Sequence, residues 1–323
     1  MMLFRGAAFV GIMIFVSAGC HAPAKDPEKR TVRIATGSPI GFYHAFGEAL
    51  VRVYNEDVPG VNASAEPIVG SDRKVNELDR GAIDLAFVGA DIAYTAYARG
   101  TPSGDGPYTR LRGIAVIYSS VLHVVVRADS PIYKLADLRG ARVGFAGAVT
   151  DFFPALSFDD PVVVGSDLVS GDLRVIRVTL DHLADVLESD HLSGALVLAS
   201  YPLPAVNDLA HRVPVRLLEV GPEVAGRIRA RYPFFKPWVI PANTYVGQTE
   251  PVRTVAVENL LVCRNDLDEG LVYRLTKALF EHLPRLAQGQ DVGRQVDVDW
   301  ASATPIPLHP GAARYYREQQ LQQ

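Results

Sequence analysis

The chain has 323 residues, 48% of them hydrophobic and 21% charged, with a formal charge of −4. That length fits two domains better than one, and the balance excludes wholesale disorder. There is no basic excess of the kind a nucleic-acid reader carries, and the two cysteines, Cys20 and Cys263, are too few for a disulfide scaffold, a four-cysteine zinc site or an iron–sulfur cluster.

The first element is a leader. Arg5 precedes an uncharged run from Gly6 to Ala18, followed by Gly19-Cys20. A basic start, an apolar stretch and small residues before a cleavage point describe a secretory signal, and the run is too short to span a bilayer as a helix. The end Val16-Ser17-Ala18-Gly19-Cys20 resembles a bacterial lipobox, with Ser17 where Leu usually stands. The resemblance implies that Cys20 becomes the lipid-carrying first residue of the mature chain; the alternative is ordinary secretion with Cys20 as an incidental thiol. We expect a lipoprotein signal peptide over 1–19 and a tether over 20–30. The expected location is the periplasmic or cell-surface face of a bacterial membrane.

Strand-like and helix-like segments then alternate. Val32 to Ala35 is β-prone, and from Tyr43 a helical period sets Phe46, Leu50 and Val53 on one face. Asp84 to Val88 reads as a buried strand, and Tyr94 and Tyr97 lie on a following helix. Leu111 to Tyr118 and Leu122 to Arg127 read as two strands. Lys134 to Gly140 is a helical turn, and Ala141 to Phe145 a strand. Further strands are expected at Leu173 to Val178, Gly194 to Leu198 and Val215 to Val220, with amphipathic stretches at Leu180 to Glu188 and Glu223 to Tyr232. Such alternation predicts an α/β fold with mainly parallel sheets covered by helices. Thr254 to Cys263 is one long β-rich run, and Asp268 to Leu283 and Pro310 to Gln320 are helical.

The sequence carries no Gly-x-Ser-x-Gly elbow, no His-Glu-x-x-His, no P-loop and no Gly-x-Gly-x-x-Gly, so no enzyme activity and no cofactor are expected. His182 and His191, with Asp181, Asp185 and Asp190 nearby, fit a solvated helix face better than a metal site. Cys263 sits among Leu260, Leu261 and Val262 and reads as a buried, inert thiol. One segment stands out: Thr36-Gly37-Ser38-Pro39-Ile40-Gly41-Phe42-Tyr43, between a strand and an amphipathic helix. Its glycines let backbone N–H groups approach a ligand, and the helix start favours an anion; a plain strand–helix turn would need the same glycines. Gly70-Ser71-Asp72 precedes another helical stretch, where Ser71 or Asp72 could simply cap.

The stretch Val32 to Gly47, VRIATGSPIGFYHAFG, resembles the opening of the TAXI receptors, the TRAP-associated extracytoplasmic immunogenic proteins. Gly81-Ala82-Ile83-Asp84-Leu85-Ala86 with Asp91-Ile92-Ala93-Tyr94 follows in order, as do Leu122 to Arg127 and Leu135 to Gly140. Ile240 to Gln248 and Leu308 to Tyr316 are the most specific matches, and the resemblance covers about residues 31–320. It implies a two-lobed type II periplasmic binding protein fold with a ligand cleft between the lobes. Lobe I would be 31–119 plus 269–323, and lobe II 120–268. It implies an extracytoplasmic receptor for a small carboxylate or acidic amino acid, working with a TRAP-type membrane permease; the alternative is a sensory or interaction lipoprotein without a transport role. Gly37, Ser38, Gly41, Phe42, Tyr43, Ser71, Asn76 and Asp91 would line the site from lobe I, and Gly147, Thr150 and Tyr201 from lobe II. The sequence departs from the family after Val143-Gly144. There Phe145-Ala146-Gly147-Ala148-Val149-Thr150-Asp151 replaces a Gly-Ser-Gly-Thr type loop. The family's asparagine also comes sooner after the Gly70-Ser71 turn than Asn76 does.

Overall fold

The computed structural model describes residues 29–37, 42–101, 106–147, 174–178, 182–189, 191–288, 296 and 298–320. The chain opens with β1 (Arg30–Ala35), α1 (Phe42–Asp57), β2 (Val61–Glu66), α2 (Ser71–Asp79), β3 (Leu85–Gly89) and α3 (Ala90–Arg99). In β1, Val32 and Ile34 are buried; in α1, Phe46, Leu50, Val53 and Tyr54 form the buried stripe, at the spacing of one helical face. β1 pairs in parallel with β2 on one side and with β3 on the other.

A 17-residue strand, β4 (Leu111–Arg127), then leaves this half of the molecule. The second half holds β5 (Arg142–Gly147), β6 (Arg174–Arg177), α4 (Leu183–Glu188), β7 (Gly194–Ala199), α5 (Pro204–Arg212), β8 (Val215–Leu217), α6 (Pro222–Arg231) and β9 (Phe235–Ile240). The 13-residue β10 (Val252–Arg264) brings the chain back. α7 (Glu269–Glu281), the short α8 (Leu283–Leu286) and α9 (Pro310–Gln320) close the first half. In the described residues all ten strands form one sheet, in the order β2-β1-β3-β10-β4-β7-β5-β6, with β8 on β4 and β9 on β10.

β4 and β10 run antiparallel at the centre and belong to both halves. Val252 to Val257 of β10 pair with β9, and Asn259 to Cys263 pair with β3. Leu111 to Tyr118 of β4 face the β3 side, and Val121 to Val125 pair with β7. Two expectations are corrected here. The sheet is mixed rather than mainly parallel, because both crossing strands are antiparallel to their neighbours. The two strands expected at 111–118 and 122–127 are one. The polar pair Ser119-Ser120 interrupts the apolar pattern but not the strand: both are buried, Ser119 Oγ donating to Glu258 Oε2 at 2.9 Å and Ser120 Oγ accepting from Asn259 Nδ2 at 2.9 Å. The same pairing places the second passage between halves inside β10, ahead of the expected 268/269 boundary.

The core follows the sheet. One buried cluster runs along one face through both halves, from Val75 and Val88 to Leu196 and Ile228. Of the other two, one packs under α1, α7 and α9, and one under α4 and α5. α9 lies against α7 at Gly311, where a Cβ would stand 2.3 Å from the Glu269 carbonyl. Cys263 is fully buried, and burial pushes its thiol pKa up. No described helix is long and apolar enough to cross a membrane.

Candidate functional site

The site begins where α1 starts, beside the end of β1. Tyr43 is half-buried, in the first turn. Its ring stacks on Phe87 of β3, centroids 5.6 Å apart, and meets Tyr118 of β4 edge-on at 5.9 Å. Its hydroxyl donates to Asn259 Oδ1 on β10, and the Asn259 amide donates to Ser120 Oγ. One tyrosine therefore ties the first helix to both crossing strands, at the point where they pass between halves. Burial pushes the hydroxyls of Tyr43 and Tyr118 well above the ordinary tyrosine range.

Beneath Tyr43 lies Lys74. Ser71, Lys74, Val75 and Leu78 form the buried face of α2, and Lys74 is only 2% exposed. Its ammonium donates to the Thr36 carbonyl at 3.0 Å and to the Phe87 carbonyl, and sits 4.3 Å from the centre of the Tyr43 ring. Burial lowers its pKa to about 7, against a smaller opposing pull from Asp72.

Asp91 is buried in the first turn of α3. Its carboxylate accepts the backbone N–H groups of Ile92 and of Asp91 itself, which favour the charged form, yet burial outweighs them and raises its pKa to about 7. Gly89 makes room for it: a Cβ there would stand 2.2 Å from Asp91 Oδ1.

The structure places Gly37 against Tyr43 and Asp91 near it, while Ser71 shares the buried face of α2 with Lys74. Ser71 is buried at the start of α2, whose N-cap is Gly70 at φ 91°, with no side-chain cap, so capping by Ser71 or Asp72 is not what this turn does. Phe42 packs into the first half's core, on Tyr118 at 4.5 Å and Phe46 at 5.3 Å. Asn76 is not brought to Tyr43. Its Oδ1 accepts from Thr101 Oγ1 at 2.9 Å and from the Tyr108 hydroxyl, bracing the segment after α3. Gly147 ends β5, opposite Leu198 of β7. Tyr201 packs edge-on against Trp238 at 6.1 Å, in the second half. Ser38, Gly41, Thr150 and Cys20 lie outside the described residues.

Sequence reasoning missed Lys74, Asn259 and Tyr118. For Lys74 a signal existed: it shares the i, i+3, i+4, i+7 face with Ser71, Val75 and Leu78. Asn259 and Tyr118 meet only through strand pairing, which no local pattern announces.

Two stretches singled out in the sequence turn out to meet. His123 Nδ1 lies 2.9 Å from the Val121 carbonyl, its Nε2 lies 2.8 Å from the Tyr245 hydroxyl, and that hydroxyl accepts from the Leu203 N–H at 2.9 Å. The chain of bonds fixes a neutral ring with its proton on Nδ1, and burial lowers the His123 pKa to about 4. Leu308 to Tyr316 is likewise architectural. His309 Nδ1 accepts from the Gly311 N–H, and the Tyr316 hydroxyl donates to the Ile114 carbonyl at 2.9 Å. Two open hollows, of about 360 Å³ beside Arg30 and Arg274 and about 310 Å³ beside Arg142 and His191, share no residue with the Tyr43 cluster.

Two halves of one sheet, joined by two crossing strands with polar groups gathered at the crossing, define the two-lobed fold of the periplasmic binding proteins. The periplasmic aliphatic sulphonate binding protein SsuA from Escherichia coli superposes with a TM-score of 0.52 at 15% identity, covering 89% of this chain and 82% of that one. A putative sulfonate ABC transporter's periplasmic sulfonate-binding protein SsuA from Methylobacillus flagellatus KT gives 0.51 at 15% identity, covering 90% and 78%. The chain belongs to the NMT1-like family, whose model matches residues 34–319.

Proposed function

We propose that this protein is an extracytoplasmic solute-binding receptor that closes two lobes on a small organic acid and hands it to a membrane transporter. The observation that carries this is the placement of Tyr43. It joins lobe I to both crossing strands through Asn259, beside a buried ammonium and a buried carboxylate. A group bound there touches the strands about which the lobes would turn, so binding and closure are coupled.

Within that reading, the TAXI-like segments support a TRAP-type permease as partner, a carboxylate or acidic amino acid as solute, and a lipid anchor at Cys20. The structural likeness to sulphonate binders adds organic sulfonates to the candidate acids. A thermal-shift screen of dicarboxylates, acidic amino acids and alkanesulfonates tests this, since a ligand at 100 times its Kd adds about 2.7 kcal/mol of stability. A shift with one of these classes is the expected result. A screen without any shift would overturn the receptor reading in favour of a sensory or interaction role. Cys20→Ser should release the protein from membranes.

A further inference from the structure

The strand order β2-β1-β3 places β2 on one side of β1 and β3 on the other, so the connections diverge at β1. In open α/β sheets the crevice at the carboxyl ends of two such diverging strands is where ligands settle. Lys74 bridges the ends of those two strands. One N–H goes to Thr36, just past the end of β1, and another to Phe87, near the end of β3. An ammonium has three donors, and the face of the Tyr43 ring lies 4.3 Å away. No carboxylate is ion-paired with Lys74 among the described residues, and a charge buried this way is costly unless something matches it.

We infer that Lys74 is the charged anchor of lobe I: it pairs with the anionic group of a bound solute at the ends of β1 and β3. This rests on the receptor reading above. It explains how an acidic chain with no arginine in the cluster would hold an anion. Burial leaves Lys74 near its midpoint at neutral pH, and an anion favours the charged form. Affinity should therefore be level below pH 7 and fall by up to about tenfold per pH unit above it. Beside it are Asp72 on its own helix and Tyr43 on α1; one contact further out, Asp91 on α3 and Tyr118 on β4 act on Tyr43, and His44 meets Thr36. Asp91 would also gain a proton when an anion binds, so it must be separated from Lys74 by its own variant.

The probe is inorganic sulfate, titrated against chloride at constant ionic strength and followed by thermal shift at pH 6.5 and 8.5. Wild type, Lys74→Met, Lys74→Arg and Asp91→Asn are compared. The expected result is a sulfate shift in wild type that shrinks at pH 8.5 and is lost in Lys74→Met beyond the general salting effect. In Lys74→Arg the shift should survive without its pH dependence, because guanidinium stays charged. In Asp91→Asn the pH dependence should remain. A merely structural lysine would not give the Arg variant that profile. The inference is overturned if wild type shows no sulfate shift, if Lys74→Met shifts as wild type does, or if Lys74→Arg keeps the full pH dependence. Should Lys74→Met not fold, wild type and Lys74→Arg still decide it. A positive organic-acid screen together with an unaffected Lys74→Met would leave the receptor reading standing and remove only Lys74.

Discussion

The imidazole of His123 is held neutral by burial, which outweighs the backbone carbonyls at Nδ1 that favour its charged form. Its folded pKa of about 4 lies below the ordinary 6.5, so the unfolded chain binds the extra proton first. Stability from this group is full above pH 6.5 and lost as pH falls toward 4, by roughly 3 kcal/mol in all. Urea unfolding of wild type and His123→Gln across pH 4–7 should show the steeper acid loss only in wild type; equal slopes would contradict the buried neutral ring. Asp91 works in the opposite sense. Its folded pKa of about 7 lies above the ordinary 3.8, so the folded chain binds the extra proton and stability falls as pH rises from about 4 to 7. Asp91→Asn should therefore stabilise the ligand-free protein by about 1–3 kcal/mol at pH 8, with the gain fading toward pH 4. A residue whose removal stabilises the empty protein suits a site kept for its occupant.

Among the elements, the crossing strands matter most, and Asn259 is their common fastener. Asn259→Leu removes the amide that takes the Tyr43 hydroxyl and serves Ser120. Two buried hydroxyls lose their partner, and a cost of about 2–4 kcal/mol is expected. Calorimetric melting tests this, and an unchanged Tm would show that the bonds contribute nothing. The elements also show how far the sequence could be read. α1 was legible because Phe46, Leu50 and Val53 repeat at a helical spacing with no rival pattern, and Pro310–Gln320 because a proline marks its first turn. β2 was not, since Val61-Asn62-Ala63-Ser64-Ala65-Glu66 has few large apolar side chains and takes its shape from pairing with β1. The continuity of β4 was hidden because Ser119 and Ser120 look like a break until Glu258 and Asn259 arrive from far along the chain. For the candidate site, the glycine-rich loop pointed to Tyr43 and the family likeness to Asp91, and the two lie near each other in the structure. Lys74 was not, because a charged residue on an otherwise apolar helix face is normally read as solvated. Asn76, expected to line the site, accepts hydrogen bonds from Thr101 and Tyr108.

For the whole molecule, the expected motion is a bend or twist at β4 and β10 rather than a swing of two separate bodies. Small-angle scattering with and without a solute found by screening should show a smaller radius of gyration when bound. Unchanged scattering at saturation would argue against closure. Because the sheet is continuous through both lobes, closure must conserve the pairing of Val121 with Ala256 and Tyr118 with Asn259. Amide exchange in these strands should therefore stay slow in both states.

The same continuity governs how the chain is made. β1, β2 and β3 come early, but the strand that completes their side of the sheet is β10, and the helix that seals it is α9, whose Tyr316 reaches back to Ile114 across 202 positions. Lobe I therefore stays unfinished until the last segment has emerged, while the pairings among β5, β6 and β7 can form sooner. A topology that defers so many distant contacts folds slowly. For a chain exported behind the leader that its sequence leads one to expect, such a delay would leave the polymer loose enough to be threaded across a membrane before it folds.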